Sequence, residues 1–264
     1  MNKIKSIAWL LLGLLFANCS EYYRIQQSND YNLMYNKALD YYEYGDYFRA
    51  KTLFDNVVNV MKGSDKGERA LFLYADCFYH LGDYVFGSHY FENFYTTYPL
   101  NDSVELAYYM AAYCYYKDSP RPDLDQTTTI KAINAFQTYI NKFPNGNKVE
   151  DCNNLISELR HKLEEKSYMT AKLYYQIGDY QAATITLHNS LKEYPDTKYR
   201  EELMYMVVKS SYLLAENSIE SKKAERFQNT VTEYYAFIDE YPQSQYIKEI
   251  EDMYQKTVNQ IKNL

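Results

Sequence analysis

Apolar residues recur with helical spacing along most of the chain, and short polar turns interrupt this pattern at intervals. The tripeptide Gly-Asp-Tyr marks three of these turns, at residues 45–47, 82–84 and 178–180, each between two tyrosine-rich segments. Glycine can adopt the left-handed conformation that ends a first helix, and aspartate can cap the helix that follows. The pattern therefore predicts a series of helix-turn-helix units.

The second helix of most units ends at an aromatic residue followed by proline, at Tyr98-Pro99, Phe143-Pro144, Tyr194-Pro195 and Tyr241-Pro242. Proline cannot continue a helix and restricts the residue before it. The unit resembles the tetratricopeptide repeat, which has small and aromatic residues at fixed positions and a basic period of about 34 residues. In the first two units the matching residues are Ala38, Tyr41, Gly45, Tyr47, Ala50 and Phe54, then Ala75, Phe78, Gly82, Tyr84, Gly87, Phe91, Phe94 and Pro99. We predict an all-α fold, a tetratricopeptide-repeat solenoid of about five helix-turn-helix units.

Two stretches exceed the basic repeat. Residues 117–128, which include Pro120 and Pro122, predict an inserted loop in the third unit. Residues 147–166 predict an additional helix that enters the fourth unit, with an apolar face formed by leucines at four-residue spacing, Leu155, Leu159 and Leu163. We expect N-terminal repeats over residues 31–144 and C-terminal repeats over residues 145–264.

The first residues have the pattern of an export signal. Lys3 and Lys5 precede an apolar run over residues 7–16, which is too short to span a bilayer. Residues 16–19, Phe-Ala-Asn-Cys, resemble the lipobox of bacterial lipoproteins. Residues 1–18 are then a cleaved signal peptide, Cys19 becomes the acylated first residue, and residues 19–30 form a polar, lipid-anchored tether. The alternative is an ordinary secreted protein whose signal ends near a cysteine.

Composition limits the chemistry that the chain can perform. It contains 28 Lys and Arg residues against 35 Asp and Glu, and its formal net charge of −7 leaves no basic stripe for a nucleic acid. The four histidines lie in different units without metal-ligand spacing, and no phosphate-binding loop or nucleophile motif is present in the sequence. We expect no enzyme activity, no metal site, and no cofactor other than the covalent lipid on Cys19.

Three cysteines follow Cys19. Cys77 and Cys114 occupy equivalent positions in the first helices of neighbouring units, and Cys152 lies further along the chain. An exported protein can oxidise such a pair, but equivalent positions in stacked helices need not approach within disulfide distance. Buried thiols are the favoured interpretation, and a disulfide is the alternative.

The chain contains 33 tyrosines, an unusually high number. Many, such as Tyr41, Tyr115 and Tyr174, fall at packing positions of the repeat. Others crowd the first helices of the N-terminal units, where such a solenoid presents its concave surface: Tyr31, Tyr35, Tyr42, Tyr44, Tyr108 and Tyr109. An aromatic groove of this kind can hold an extended peptide. A tyrosine-rich composition throughout the chain is the alternative explanation.

From Cys19 to about residue 258 the chain resembles the BamD (ComL/YfiO) family of outer-membrane assembly lipoproteins. Asp125-Gln126, followed by Thr129 and Ala132, is similar to the Asp-Gln-x-x-Thr-x-x-Ala segment of that family. The long helix and the fourth repeat follow the family in order at Leu159-Arg160, Leu163, Glu164, Ala171, Tyr174-Tyr175, Gly178, Tyr180, Ala182-Ala183 and Tyr194-Pro195-Asp196-Thr197.

This resemblance implies a periplasmic scaffold, anchored in the outer membrane, that binds the barrel insertase BamA, other assembly lipoproteins and unfolded barrel precursors. It implies precursor contacts at Tyr31, Tyr35, Tyr42, Arg49, Tyr74 and Tyr108, and insertase contacts at Arg200 and Lys209. An alternative is another exported repeat lipoprotein, acting as an adaptor in cell division or in the cell envelope. A carbohydrate-uptake lipoprotein of the SusD kind also has such repeats, but in a much longer chain.

Overall fold

The computed structural model describes residues 21–263, and the regular elements within this range are helices. In chain order they are α1 (Tyr31–Glu43), α2 (Tyr47–Val58), α3 (Asp65–His80), α4 (Tyr84–Thr97), α5 (Val104–Asp118), α6 (Thr127–Lys142), α7 (Val149–Gln176), α8 (Tyr180–Glu193), α9 (Arg200–Glu216), α10 (Glu220–Glu240) and α11 (Ile247–Asn263). Helices α1 to α10 form five successive hairpins, and α11 follows the last. The predicted all-α fold of helix-turn-helix repeats is confirmed for this part of the chain.

The Gly-Asp-Tyr turns have the conformation that the sequence predicts. Gly45, Gly82 and Gly178 have φ angles of 77°, 77° and 80°, in the left-handed region where a Cβ is unfavourable. At the first turn the Gly45 N–H donates to the carbonyl of Tyr42 at 3.0 Å, and the Asp46 N–H donates to that of Tyr41 at 2.9 Å. These two bonds satisfy carbonyls at the end of α1, and the chain reverses direction there.

The aspartates of these turns cap their helices in two of three cases. The Asp46 carboxylate accepts the backbone N–H of Arg49 at 3.1 Å, and the Asp179 carboxylate accepts that of Ala182 at 3.0 Å. Asp83 stands at the same position before α4 without a side-chain capping bond. Aspartate capping is thus confirmed at the first and fourth hairpins and is wrong at the second.

Residues 21–120 and 126–159 form one compact unit. Its core contains several large aromatic rings, with Phe54, Phe91, Phe94, Phe136 and Tyr139 fully buried. Helices α4 and α5 approach closely at Gly87, where an added Cβ would lie 3.0 Å from the Cys114 Sγ of α5.

Cys77, Cys114 and Cys152 are buried as free thiols. Burial raises the pKa of each thiol to about 12. The structure therefore contains these cysteines as small apolar packing groups in their neutral form.

The second compact unit contains residues 121–125 and the described chain from residue 160 onward. Two clusters of side chains form its core. Leu187, Leu203 and Met206 belong to the cluster formed by α7, α8 and α9. Phe227 and Phe237 belong to the cluster formed by α9, α10 and α11. Helix α11 is amphipathic and covers the apolar face of the last hairpin.

Helix α7 departs from the expected organisation. The predicted additional helix over residues 147–166 and the first helix of the fourth unit form one continuous helix, Val149–Gln176. Its first half packs Cys152, Ile156 and Leu159 against α5 and α6, and its second half packs Ala171 against α8 and α9. In chain order the division between the two compact units falls within α7, after Leu159.

The segment before α1 is helical over residues 21–26 and packs on the first hairpin. Ile25 is buried in the core of that hairpin. The Tyr22 ring meets the Tyr41 ring edge-on at 5.8 Å, and the Arg49 guanidinium lies 5.5 Å from the Tyr22 ring centre. Cys19 and the predicted signal peptide lie outside the described residues. Within residues 21–263 no helix combines the length and the apolar character needed to cross a bilayer.

Candidate functional site

Two of the six tyrosine and arginine positions predicted to contact precursors lie inside the protein core. Tyr35 and Tyr74 are each only 5% exposed and pack in the cluster formed by the first two hairpins. The Tyr74 hydroxyl donates to Asp55 Oδ1 at 2.6 Å. In this structure both rings serve as packing groups, and a partner would have to displace neighbours to reach them.

Tyr31, Tyr42 and Arg49 are more accessible but are not brought together. Tyr31 lies at the exposed start of α1. The Tyr42 hydroxyl donates to Asp76 Oδ2 at 2.5 Å, which links α1 to α3. Arg49 pairs with Asp46 at 3.2 Å at the start of α2. The structure therefore distributes these predicted residues over the first hairpins.

Hydrogen bonds between tyrosines and carboxylates recur through the first unit. Tyr109 donates to Asp151 at 2.6 Å, and Tyr139 donates to Glu105 at the same distance. Burial, reinforced by these bonds, raises the pKa of both hydroxyls, so they stay protonated and act as donors. Many of the tyrosines thus join helices that lie far apart in sequence, which residue spacing alone does not reveal.

Tyr108 lines a groove of about 320 Å³ in the first unit, which we call the N-terminal groove. It lies between α4 and α6, with α5 contributing the residues between them. Its lining residues are Glu92, Tyr95, Tyr108, Ala111, Tyr115, Lys131, Asn134, Ala135 and Thr138. Of the precursor contacts predicted from sequence, Tyr108 is the member that belongs to this groove.

Stacked aromatic rings form one wall of the N-terminal groove. The Tyr95 and Tyr108 rings lie 3.7 Å apart at an interplanar angle of 10°, and Lys142 Nζ lies 5.0 Å from the Tyr108 ring centre. The Tyr115 hydroxyl donates to Glu92 Oε1 at 3.0 Å. The wall therefore offers aromatic surface next to fixed polar groups, a combination suited to an extended peptide.

A second groove of about 320 Å³ lies in the second unit, between α8 and α10 with α9 between them, and we call it the C-terminal groove. Its lining residues are His188, Leu191, Lys192, Arg200, Met204, Val207, Glu233 and Ala236. The aliphatic and thioether side chains give it an apolar floor, and charged side chains lie around that floor. Arg200, predicted from sequence as an insertase contact, belongs to this groove.

The two grooves occupy equivalent places in their hairpins. Each is bounded by the second helices of two successive hairpins, with the intervening first helix between them. The first two helices of each groove contribute equivalent residues. Paired as N-terminal and C-terminal groove, these are Glu92 and His188, Tyr95 and Leu191, Tyr108 and Met204, and Ala111 and Val207. The repeat therefore contains two equivalent grooves. The N-terminal groove is lined by aromatic side chains, and the C-terminal groove is lined by aliphatic and thioether side chains.

Arg200 is held in a fixed orientation within the second unit. Its Nε and Nη2 atoms donate to the two carboxylate oxygens of Glu240 at 2.5 and 3.0 Å, and its Nη1 donates to the Pro195 carbonyl at 3.2 Å. A guanidinium with this bidentate pairing is already oriented before any partner binds.

Lys209 makes a different kind of contact and does not line the C-terminal groove. Its Nζ donates to Glu249 at 2.8 Å and to the Tyr205 hydroxyl at 3.0 Å, and the hydrogen bond from Lys209 lowers the pKa of Glu249. Tyr205 also stacks on Tyr246 at 4.1 Å. These contacts join α9 to the first turn of α11 and to the residue that precedes it.

The same arrangement occurs one hairpin earlier. Lys172 donates to Glu202 at 2.8 Å and to the Tyr168 hydroxyl at 2.7 Å, while Tyr168 stacks on Tyr199 at 4.0 Å. Lys209 is therefore one member of a repeated Tyr-Lys-Glu contact between successive first helices. The sequence signal was available, because Tyr and Lys stand four residues apart on both helices.

The C-terminal groove predicts a pH-dependent contribution to stability. His188 Nε2 lies 3.1 Å from Glu233 Oε1, and this hydrogen bond raises the histidine pKa above its ordinary value of 6.5. The folded state therefore binds the proton more tightly than the unfolded state. The resulting stabilisation is complete below the unfolded pKa and is lost as pH rises through the raised pKa.

We expect His188→Gln to lower the melting temperature at about pH 5.5 and to leave it nearly unchanged at about pH 8. Glu233→Gln removes the same partner and should show the same dependence, while Lys192→Gln in the same groove serves as the control. Equal destabilisation by His188→Gln at both pH values would contradict the assignment.

Among the described residues, no group of three or more His, Cys, Asp and Glu side chains is arranged to hold a metal ion.

The paired grooves and the hairpin stack define the class of the protein as a helical-repeat protein. The family model described as YfiO, outer membrane lipoprotein, matches residues 27–226 and 174–263. The chain belongs to this family. No curated protein matches it.

Solved structures with similarity to the chain are also helical-repeat proteins. The TPR domain of P58(IPK) has a TM-score of 0.43 and 15% identity, over 88% of this chain and 66% of that one, slightly less than two thirds. A TPR repeats protein from Bacteroides fragilis has a TM-score of 0.40 and 14% identity, over 89% of this chain and 100% of the other. TPR-like repeats of a Podospora anserina putative kinesin light chain have a TM-score of 0.33 and 12% identity. The match covers 80% of this chain and 95% of the other.

Proposed function

We propose that the protein is a lipid-anchored scaffold of outer-membrane barrel assembly, which binds a BamA-like insertase and unfolded barrel precursors. The observation that carries this proposal is the match of nearly all described residues to a family of outer membrane lipoproteins. The protein binds and positions other chains and catalyses no bond formation. Assembly lipoproteins of the same machinery are further partners, and nucleic acid is not one.

The N-terminal groove is the proposed site for a segment of an unfolded precursor. Support comes from the stacked Tyr95 and Tyr108 rings, which present aromatic surface to apolar side chains of an extended chain. Lys131, Asn134 and Thr138 provide hydrogen-bond donors along the opposite helix. Several weak contacts of this type suit a scaffold that must release its cargo.

The second unit is the proposed docking side for the insertase. The partly exposed side chains of Leu191 and Met204 in the apolar floor offer surface that a partner can bury, and Arg200 stands beside them in a fixed orientation. Interface affinity concentrates at such buried apolar and arginine contacts. Lys209, already paired with Glu249, would contribute at the edge of such an interface.

The proposed anchor is a diacylglyceryl group on the sulfur of Cys19, exposed after removal of residues 1–18. Stable membrane attachment requires more than one acyl chain, which this modification provides. The proposed location is the periplasmic face of the outer membrane, in agreement with the family description.

Depletion of the protein from cells tests this function. We expect folded outer-membrane barrels to fall, unfolded precursors to accumulate in the periplasm, and the insertase to co-purify with the protein from detergent-solubilised outer membrane. A plasmid copy of the gene is the control and should restore barrel levels. Normal barrel levels after depletion would refute the proposal, and co-purification with division or peptidoglycan-associated proteins would favour the adaptor alternative.

A further inference from the structure

Exposed apolar side chains are concentrated at the turn end of the first two hairpins. Tyr44 is 89% exposed, Phe48 63% and Phe86 52%, and all three lie just before or just after the Gly-Asp-Tyr turns. Leu81 and Val85 are exposed beside them. We call these five residues the apolar turn surface. Large apolar side chains exposed together in this way mark an interaction surface.

Ring contacts make the apolar turn surface continuous across the two hairpins. Tyr47 of the first turn stacks on His80 of the second at 4.1 Å and 4°. Lys51 Nζ lies 5.9 Å from the Phe48 ring centre and 4.8 Å from that of Phe78. Phe78 in turn stacks on Phe86 at 5.4 Å. The exposed Phe48 of α2 and Phe86 of α4 are therefore linked through Lys51 and the buried Phe78 ring.

The packed N-terminal segment ends close to the same turn. Tyr22 contacts Tyr41, near the end of α1, and Arg49, in the first turn of α2. Cys19 precedes Tyr22 by three residues, so at most about 10 Å of extended chain separates the two. Any lipid carried by Cys19 must therefore enter the membrane beside this end of the first hairpin.

We propose that the apolar turn surface rests on the lipid surface of the membrane in which Cys19 is anchored. This inference depends on the proposed acylation of Cys19. Tyrosine suits the boundary between headgroups and acyl chains because its hydroxyl is polar and its ring apolar, and phenylalanine rings can insert on the apolar side of that boundary. Lys51 holds its ammonium group 4.8 Å from the Phe78 ring centre, and its long side chain can extend that group toward the headgroups. The exposed carboxylates of Glu43 and Asp83 offset that charge, so ring insertion and not net charge provides the attraction.

A single tryptophan can report on this contact, because the chain contains one tryptophan, Trp9, and it lies in the segment predicted to be removed. Phe48→Trp places a reporter in the apolar turn surface, and Tyr44→Trp provides a second. Leu100→Trp is the control, since Leu100 is 96% exposed and follows the opposite end of α4. Helix α4 has 14 residues, which corresponds to about 21 Å.

The experiment reconstitutes the full acylated protein into vesicles of phosphatidylethanolamine and brominated phosphatidylcholine, with acylation verified by mass spectrometry. We expect Phe48→Trp and Tyr44→Trp to lose roughly half of their emission through contact with the bromines, and Leu100→Trp to be little affected. Acylated protein with unquenched or equally quenched tryptophans at all three positions would overturn this inference alone. Protein that lacks the lipid and stays in solution would overturn both the inference and the proposed anchor.

Discussion

Replacing Cys19 by serine is expected to move the protein from the outer membrane into the soluble periplasmic fraction. Serine lacks the sulfur to which the diacylglyceryl group is attached, so anchoring through the lipid fails. Each buried methylene of an acyl chain contributes about 0.8 kcal/mol, and loss of all chains removes most of the membrane affinity. The apolar turn surface orients the first hairpins but offers too few side chains to replace the lipid.

Cell fractionation followed by mass spectrometry of the mature N-terminus measures this outcome. Ser20→Ala is the matched control, because it changes the next residue without touching the modified sulfur, and it should stay in the membrane fraction. Unchanged membrane retention of Cys19→Ser would show that the lipid is not the anchor.

The largest expected loss of stability follows from Phe136→Ala. Phe136 on α6 is fully buried and packs with Tyr109, Ala112 and Cys152 from α5 and α7. Removing the ring leaves a cavity that the surrounding helices cannot fill, at a cost of about 3–5 kcal/mol in the free energy of unfolding. Typical domains have only about 5–15 kcal/mol in total, so the variant should unfold at much lower urea concentration.

Gln137→Ala is the control for this variant, since Gln137 is the next residue on α6 and is exposed to solvent. Urea unfolding followed by circular dichroism compares the two. A loss below about 1 kcal/mol for Phe136→Ala would contradict the packing described for this hairpin. Because α6 also carries Asn134 and Thr138, the same variant should weaken peptide binding to the N-terminal groove.

Local sequence signals were sufficient for the hairpins. The Gly-Asp-Tyr turns predict where first helices end because only glycine accepts the left-handed angle easily, and the aromatic-proline pairs predict where second helices end. Helix α7 shows how such signals can be overlooked. No glycine or proline interrupts residues 147–177, so a single helix was the simpler prediction.

The candidate site was harder to predict because exposure depends on tertiary neighbours. Tyr35 and Tyr74 belong to the core, and Tyr42 is paired with an aspartate in α3, a contact between residues far apart in sequence. Tyr108 and Arg200 lie on first helices and line the N-terminal and C-terminal grooves. The residues on either side of them in these grooves come from second helices. Tyr95 and Lys131 lie on second helices, and the sequence did not predict them as groove residues.

Site-specific photocrosslinking in living cells tests the central claim that this chain is a binding scaffold with separate sides for cargo and insertase. Thr138 and Ala236 are exposed at equivalent positions of the N-terminal and C-terminal grooves, so each serves as the control for the other. With a benzophenone amino acid at each position, we expect residue 138 to capture unfolded barrel precursors and residue 236 to capture the insertase. Capture of neither partner at either position, or of the same products at both, would contradict the account.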